Sequence, residues 1–99
     1  MPLIARQTDS VNTGHGCTST TTLDAPGQTF VKVQAQLVAR LGDPTVPHTH
    51  NPPLCPTHTE VIKGNSAVVE VCGILVGRVG DACDAGTITS GASFVNVGA

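Results

Sequence analysis

The sequence predicts a small all-β domain of short hairpins, and two observations carry that expectation. Apolar residues alternate with polar ones over short runs, as in Phe30-Val31-Lys32-Val33 and Val69-Glu70-Val71, which is the period-two signature of a half-buried strand. A segment pattern also recurs along the chain. Leu3-Ile4-Ala5-Arg6-Gln7-Thr8-Asp9, Leu37-Val38-Ala39-Arg40-Leu41-Gly42-Asp43 and Leu75-Val76-Gly77-Arg78-Val79-Gly80-Asp81 each read Leu, β-branched, small, Arg, two residues, Asp. Internal repetition at such a period describes units that cannot bury their own apolar faces and must stack on one another.

A second unit recurs beside the first. Gly27 to Val33, Gly64 to Val71 and Gly91 to Val97 each run from Gly into a Val-rich strand. The order strand, turn, strand, loop therefore passes about two and a half times. The whole chain, 1–99, reads as a single domain with repeat cores near 3–9, 27–43, 64–81 and 91–97. Gly-Asp closes two of the repeated segments, a turn signal, and Gly73 and Gly98 follow strands where hairpin turns are expected. The one candidate helix, Val31 to Leu41, fits less well, because it starts in a β-rich run and ends in the repeated Arg-x-Gly-Asp. Between the full repeats lies a loop, 43–60, with five of the seven prolines and three of the four histidines. Proline cannot donate to a ladder, so this loop is expected to be stiff and extended and to hold no central strand.

Composition bounds the function. With two Phe, no Trp and no Tyr in 99 residues, the core is thin, and a domain of this size leans on a disulfide, a metal or a partner surface. The net charge is −2 and the five basic residues are scattered singly, which argues against nucleic-acid binding. No apolar stretch approaches the roughly 20 residues of a membrane span, and Met1 to Arg6 lacks the pattern of a secretory signal. Four Cys and four His in a chain of that kind read as metal ligands before disulfides, although four Cys could also form two bridges.

The repeats give the ligand-capable residues a common place. His15 follows Asp9 by six residues, His48 follows Asp43 by five, and Cys83 follows Asp81 by two. Loops leaving equivalent strand ends converge, and His58 stands at the return of the long loop. Tetrahedral zinc takes four N or S donors, and four protein donors leave no open position, so such a site is structural. His15, His48, His58 and Cys83 are the expected set, with Cys17, Cys55 and His50 as other candidates for the fourth place. Cys72, inside an alternating strand, is expected to be a buried small hydrophobe. The repeated Arg and Asp read as turn hydrogen-bonding groups. No phosphate loop and no HExxH occurs, and a Cys55–His58 nucleophile pair would have little room for a substrate pocket, so the chain is expected not to be an enzyme.

These repeats, the Gly-to-Val strands and the His-bearing proline loop together resemble the PAAR-repeat proteins, over nearly the whole chain from Leu3 to Val97. The resemblance implies a conical domain of β-hairpins with pseudo-three-fold symmetry and one structural zinc near the vertex, held by three His and one Cys. His15, His48 and His58 match the three His positions. The family's usual Cys position is Ala85 here, with Cys83 the nearest substitute, and Leu followed by a β-branched residue replaces the Pro-Ala of the naming tetrapeptide. The resemblance further implies a non-enzymatic tip that caps a trimeric β-helical spike, one tip per trimer, in a phage tail baseplate or a type VI secretion machine. Such a tip is assembled in the cytoplasm, is exported on firing, and touches the target membrane transiently. The rival reading is a free-standing zinc-stabilised β-module for protein binding.

Overall fold

The computed structural model describes residues 3–50, 52–63, 69–93 and 95. The expected strand starts at 64–68 and 96–97, together with Phe94 and Gly98, lie outside them. Ten short strands and no helix occur among the described residues. β1 (Ser10–Asn12), β2 (Thr20–Thr22), β9 (Ala82–Cys83) and β10 (Gly86–Ile88) form an antiparallel sheet in the order β2-β1-β10-β9. Three two-stranded hairpins complete the set: β3 (Lys32–Val33) with β4 (Gln36–Leu37), β5 (His48–Thr49) with β6 (Thr57–His58), and β7 (Glu70–Val71) with β8 (Ile74–Leu75).

The candidate helix at 31–41 is the β3–β4 hairpin, turned at Gln34 and Ala35 with φ of 50° and 68°. Two successive left-handed residues form the tight turn whose twist matches the strands, although neither is the usual Gly or Asn. Cys72 and Gly73 turn β7–β8 in the same way, with φ of 52° and 83°. Cys72 is therefore exposed at a hairpin tip, not buried in a strand as its sequence context suggested. The proline loop also departs from expectation, since it contains the β5–β6 hairpin. Neither paired dipeptide contains a proline, so no ladder position needs a missing N–H.

The three Leu-to-Asp segments meet through their backbones. Ala5 N–H donates to the Gly77 carbonyl (2.9 Å), Gly77 N–H to Ala39 (2.8 Å) and Ala39 N–H to Ala5 (3.0 Å), a closed circle of three hydrogen bonds. Two residues on, Gln7 donates to Leu37 (2.8 Å), Leu41 to Leu75 (2.9 Å) and Val79 to Leu3 (2.9 Å). The residues of the inner circle are Ala, Ala and Gly, all buried, because three chains approach this closely only where side chains are small. Ile4, Val38, Val71, Val76 and Ala92 pack on one side of the circle. Val11, Leu23, Ile62, Cys83 and Ile88 form a second apolar cluster that includes Ala5 and Ala39. Phe30, by contrast, is 83 % exposed, and the core among the described residues is aliphatic.

Each segment ends in the same turn. The Asp9, Asp43 and Asp81 carboxylates accept from the backbone N–H of Arg6 (2.7 Å), Arg40 (2.7 Å) and Arg78 (2.9 Å), and each Asp N–H donates back to the Arg carbonyl. The repeated Arg and Asp are thus turn-closing groups. The third turn residue has positive φ in all three: Gly42 at 86°, Gly80 at 94° and Thr8 at 77°. Left-handed backbone costs an L-residue about 1–2 kcal/mol, part of which glycine's larger unfolded-state entropy cancels. Thr8→Gly is therefore expected to stabilise the protein by about 0.5–1 kcal/mol in denaturant titration. A loss of stability would show that the Thr8 side chain makes a compensating contact.

Candidate metal centre

The site is assembled from three pieces of chain. His48 and His58 stand directly opposite one another on β5 and β6, which places their side chains on one face of the hairpin. His15 comes from the loop between β1 and β2. That loop is closed by Thr13, whose N–H donates to the Ser19 carbonyl (3.0 Å) and whose hydroxyl donates to the Thr18 carbonyl (2.6 Å). Asp84 sits in the β9–β10 turn with φ of 57°, a conformation that Asp tolerates better than most residues.

Two glycines bring the His15 loop against the Asp84 turn. A Cβ on Gly86 would occupy the position of the Asn12 carbonyl, and one on Gly14 would strike the Ala85 backbone; Gly14 also has φ of 75°. Ala85 N–H donates to the Thr13 carbonyl (2.9 Å), which locks the two pieces together. The close approach of backbone to backbone explains why residues 69 positions apart share a site.

Four donor atoms converge there: Nε2 of His15, His48 and His58, and Oδ2 of Asp84, all within 4.8 Å of one another. Asp84 Oδ2 lies 2.8 Å from His15, 2.7 Å from His48 and 3.3 Å from His58. His58 Nε2 lies 2.8 Å from His48 and 3.1 Å from His15. Four donors held about 2.0–2.1 Å from one centre are about 3.3 Å apart; five of the six spacings here are 2.7–3.3 Å, and the His15–His48 pair lies within 4.8 Å. The His15, His48 and Asp84 side chains are nearly sealed from solvent, and His58 is the most accessible.

Proton placement points the same way. His15 Nδ1 lies 2.9 Å from the Gly16 carbonyl, and His48 Nδ1 lies 2.9 Å from the Val46 carbonyl. A carbonyl only accepts, so both Nδ1 atoms carry the hydrogen and both Nε2 atoms present lone pairs in the neutral ring. Glu60 Oε2 stands 3.8 Å from His58 Nδ1. Lone pairs facing a carboxylate and one another at these distances repel unless a cation lies between them, either a proton or a metal ion. Outward partners on the other ring nitrogen are also the usual support of a metal-ligating imidazole. The cluster could hold a metal ion.

The electrostatics are those of a carboxylate among imidazoles. Burial pushes the Asp84 carboxyl up, but when protons rather than a metal sit on the facing Nε2 atoms, hydrogen bonds from His48 and His15 outweigh it and hold the group below its ordinary value. The hydrogen bond to the Gly16 carbonyl raises His15; burial opposes this, and Asp84 adds to it.

Cys83, expected as the fourth donor, is not in the group. It is fully buried in the apolar cluster beside Ile62 and Ile88, and desolvation, with the Asp84 charge, pushes its thiol up to about 11. Sequence reasoning missed Asp84 because it weighed only His and Cys as donors. The signal was an acidic residue in a two-residue turn next to an expected ligand, and a carboxylate is also a zinc donor. The remaining candidates are nearby. The His50 ring packs on His58 (4.4 Å between centroids) and edge-on to His15 (4.6 Å). Cys17 and Cys55 form a disulfide, where the sequence had favoured metal ligation over bridging; Cys72 and Cys83 are free.

No protein-family model matches the chain, and no curated protein matches it.

Proposed function

We propose that this chain is a mechanical, non-catalytic spike tip of the PAAR-repeat kind. In this reading it is a pseudo-three-fold cone that caps a trimeric β-helical spike and leads it through a target envelope, in a phage tail or a type VI secretion machine. The observation that carries the reading is the closed circle of backbone hydrogen bonds through Ala5, Gly77 and Ala39. Three chemically similar segments that donate to one another in rotation support the pseudo-three-fold symmetry that one chain would need to sit on a three-fold axis.

The two ends of each segment have different characters. The β3–β4 and β7–β8 hairpins precede the circle in the chain and carry exposed Phe30, Val31, Val69 and Ile74. The histidines follow it. The hairpin end supplies the apolar, strand-edged face that a β-helical trimer would cover. Among the histidines we infer one structural zinc ion held by His15, His48, His58 and Asp84. There the ion supplies a cross-link among three loops. No helix among the described residues is long and apolar enough to cross a membrane.

Native mass spectrometry of the chain co-expressed with a candidate trimeric β-helical spike tests this reading. One copy per trimer is expected, in a complex that survives high salt because its contact is apolar. A 3:3 complex, or a monomer with no affinity for such trimers, would refute it; the latter result fits a free-standing zinc-stabilised β-module.

A further inference from the structure

We propose that the Cys17–Cys55 disulfide controls the metal affinity of the His/Asp cluster, making it a redox-responsive site that is tight when the bridge is closed and loose when it is open. The inference rests on the reading that the cluster binds a divalent metal. His48 and His58 are paired across one hairpin, and Asp84 is fixed in a two-residue turn. His15 is the donor with the least local support, because it is flanked by glycine on both sides in Gly14-His15-Gly16-Cys17. Glycine loses the most backbone freedom on ordering, so a donor held between two of them is costly to place. Gly14, Gly16, Cys17 and Ser19 are all exposed, which leaves the loop little apolar packing.

Besides the ring contacts of His15 with His50 and His58, two ties join this loop to the hairpin that carries the other histidines. One is polar: the Thr18 and Thr49 hydroxyls lie 2.6 Å apart, and Thr49 N–H donates to Thr18 Oγ1 (3.2 Å). The other is the disulfide, which begins two residues after His15 and ends three residues before His58. Closing it confines His15 near its partner donors before any ion arrives. Opening it returns that ordering cost to the binding step.

Reduction breaks the Cys17 Sγ–Cys55 Sγ bond with two electrons and two protons from a dithiol, which leaves as its own disulfide. Linkage then requires reciprocity. The factor by which the closed bridge tightens metal binding is the factor by which bound metal makes the bridge harder to reduce.

The test is a thermodynamic cycle on the full chain. Zinc affinity is measured by competition with a chromophoric chelator for the oxidised protein and for the Cys17→Ser/Cys55→Ser variant, which needs no thiol reductant. The reduction equilibrium of the wild-type bridge is measured by thiol labelling in a thiol–disulfide buffer, with saturating zinc and with chelator. The variant is expected to bind zinc about tenfold more weakly or worse, within the range of about 5- to 150-fold usual for coupled sites. Zinc should shift the reduction equilibrium by the same factor, and Cys72→Ser should change neither quantity. Equal affinities with zinc-insensitive reduction would overturn the proposal while leaving the metal site intact. If the variant does not fold, the wild-type reduction measurement decides alone. Oxidised protein that takes up no zinc would instead remove the metal reading, and the coupling with it.

Discussion

If the cluster holds the proposed zinc, Asp84→Asn is expected to leave the purified protein without stoichiometric zinc and to abolish any rise in melting temperature on adding zinc. Cys83→Ala should keep the metal. Apparent binding free energies of structural zinc are of order 10 kcal/mol, while a domain this small keeps only a few kcal/mol of its own. Losing the only anionic donor of the four, itself nearly sealed from solvent, therefore removes most of the stability of the metal-bound protein and leaves the few kcal/mol of the metal-free fold. The Asn side chain keeps the volume and one acceptor oxygen but not the charge, so its effect reports ligation and not packing. Cys83→Ala removes one buried sulfur from an apolar cluster and should cost about 1 kcal/mol through the small cavity it leaves. Elemental analysis and melting curves of the two variants, with and without chelator, check both statements. A Cys83→Ala protein stripped of zinc beside an Asp84→Asn protein that retains it would restore a three-His, one-Cys site.

The second large effect concerns the bridge alone. In the presence of chelator, Cys17→Ala/Cys55→Ala is expected to lower stability by about 4 kcal/mol, the unfolded-chain entropy released when a loop of this length is opened. The bridged residues are 38 positions apart, a long loop in a chain of 99. For a domain of this size, each kcal/mol moves the melting midpoint by about 4–8 °C, so the expected fall is roughly 15–30 °C. Scanning calorimetry of the variant against the oxidised wild type measures it. A fall of only a few degrees would mean that the unfolded chain is already compact around these loops, or that the bridge strains the folded one.

Much of the architecture is legible in the residues themselves. Strand character follows from Val and Thr alternation. The repeated Leu-to-Asp segments announce three similar pieces of backbone, and their Arg-x-x-Asp ends close three turns because an Asp side chain reaches the N–H three residues back. Counting from those Asp residues also puts His15 and His48 beyond equivalent strand ends, where they do stand together with His58. Such features are local, or they repeat a local rule, and a sequence displays them directly.

The rest depends on which atoms meet across the fold. Cys83 and Asp84 are adjacent, and nothing in their order says which faces the histidines. The sheet register sends Cys83 into the apolar cluster, and the left-handed turn at Asp84 presents the carboxylate. Four cysteines allow three two-bridge pairings and six single bridges, and only the approach of the His15 loop to the β5–β6 hairpin selects Cys17 with Cys55. The hairpin at Gln34–Ala35 has no glycine or asparagine to announce it, although both residues take left-handed backbone. The sequence by itself determined the β character and the repeated turns, since each follows from residues near one another in the chain, while its repeats pointed to the three imidazoles that the fold then brought together. The tertiary structure alone decided the fourth donor and the bridge, since both rest on contacts between segments dozens of residues apart.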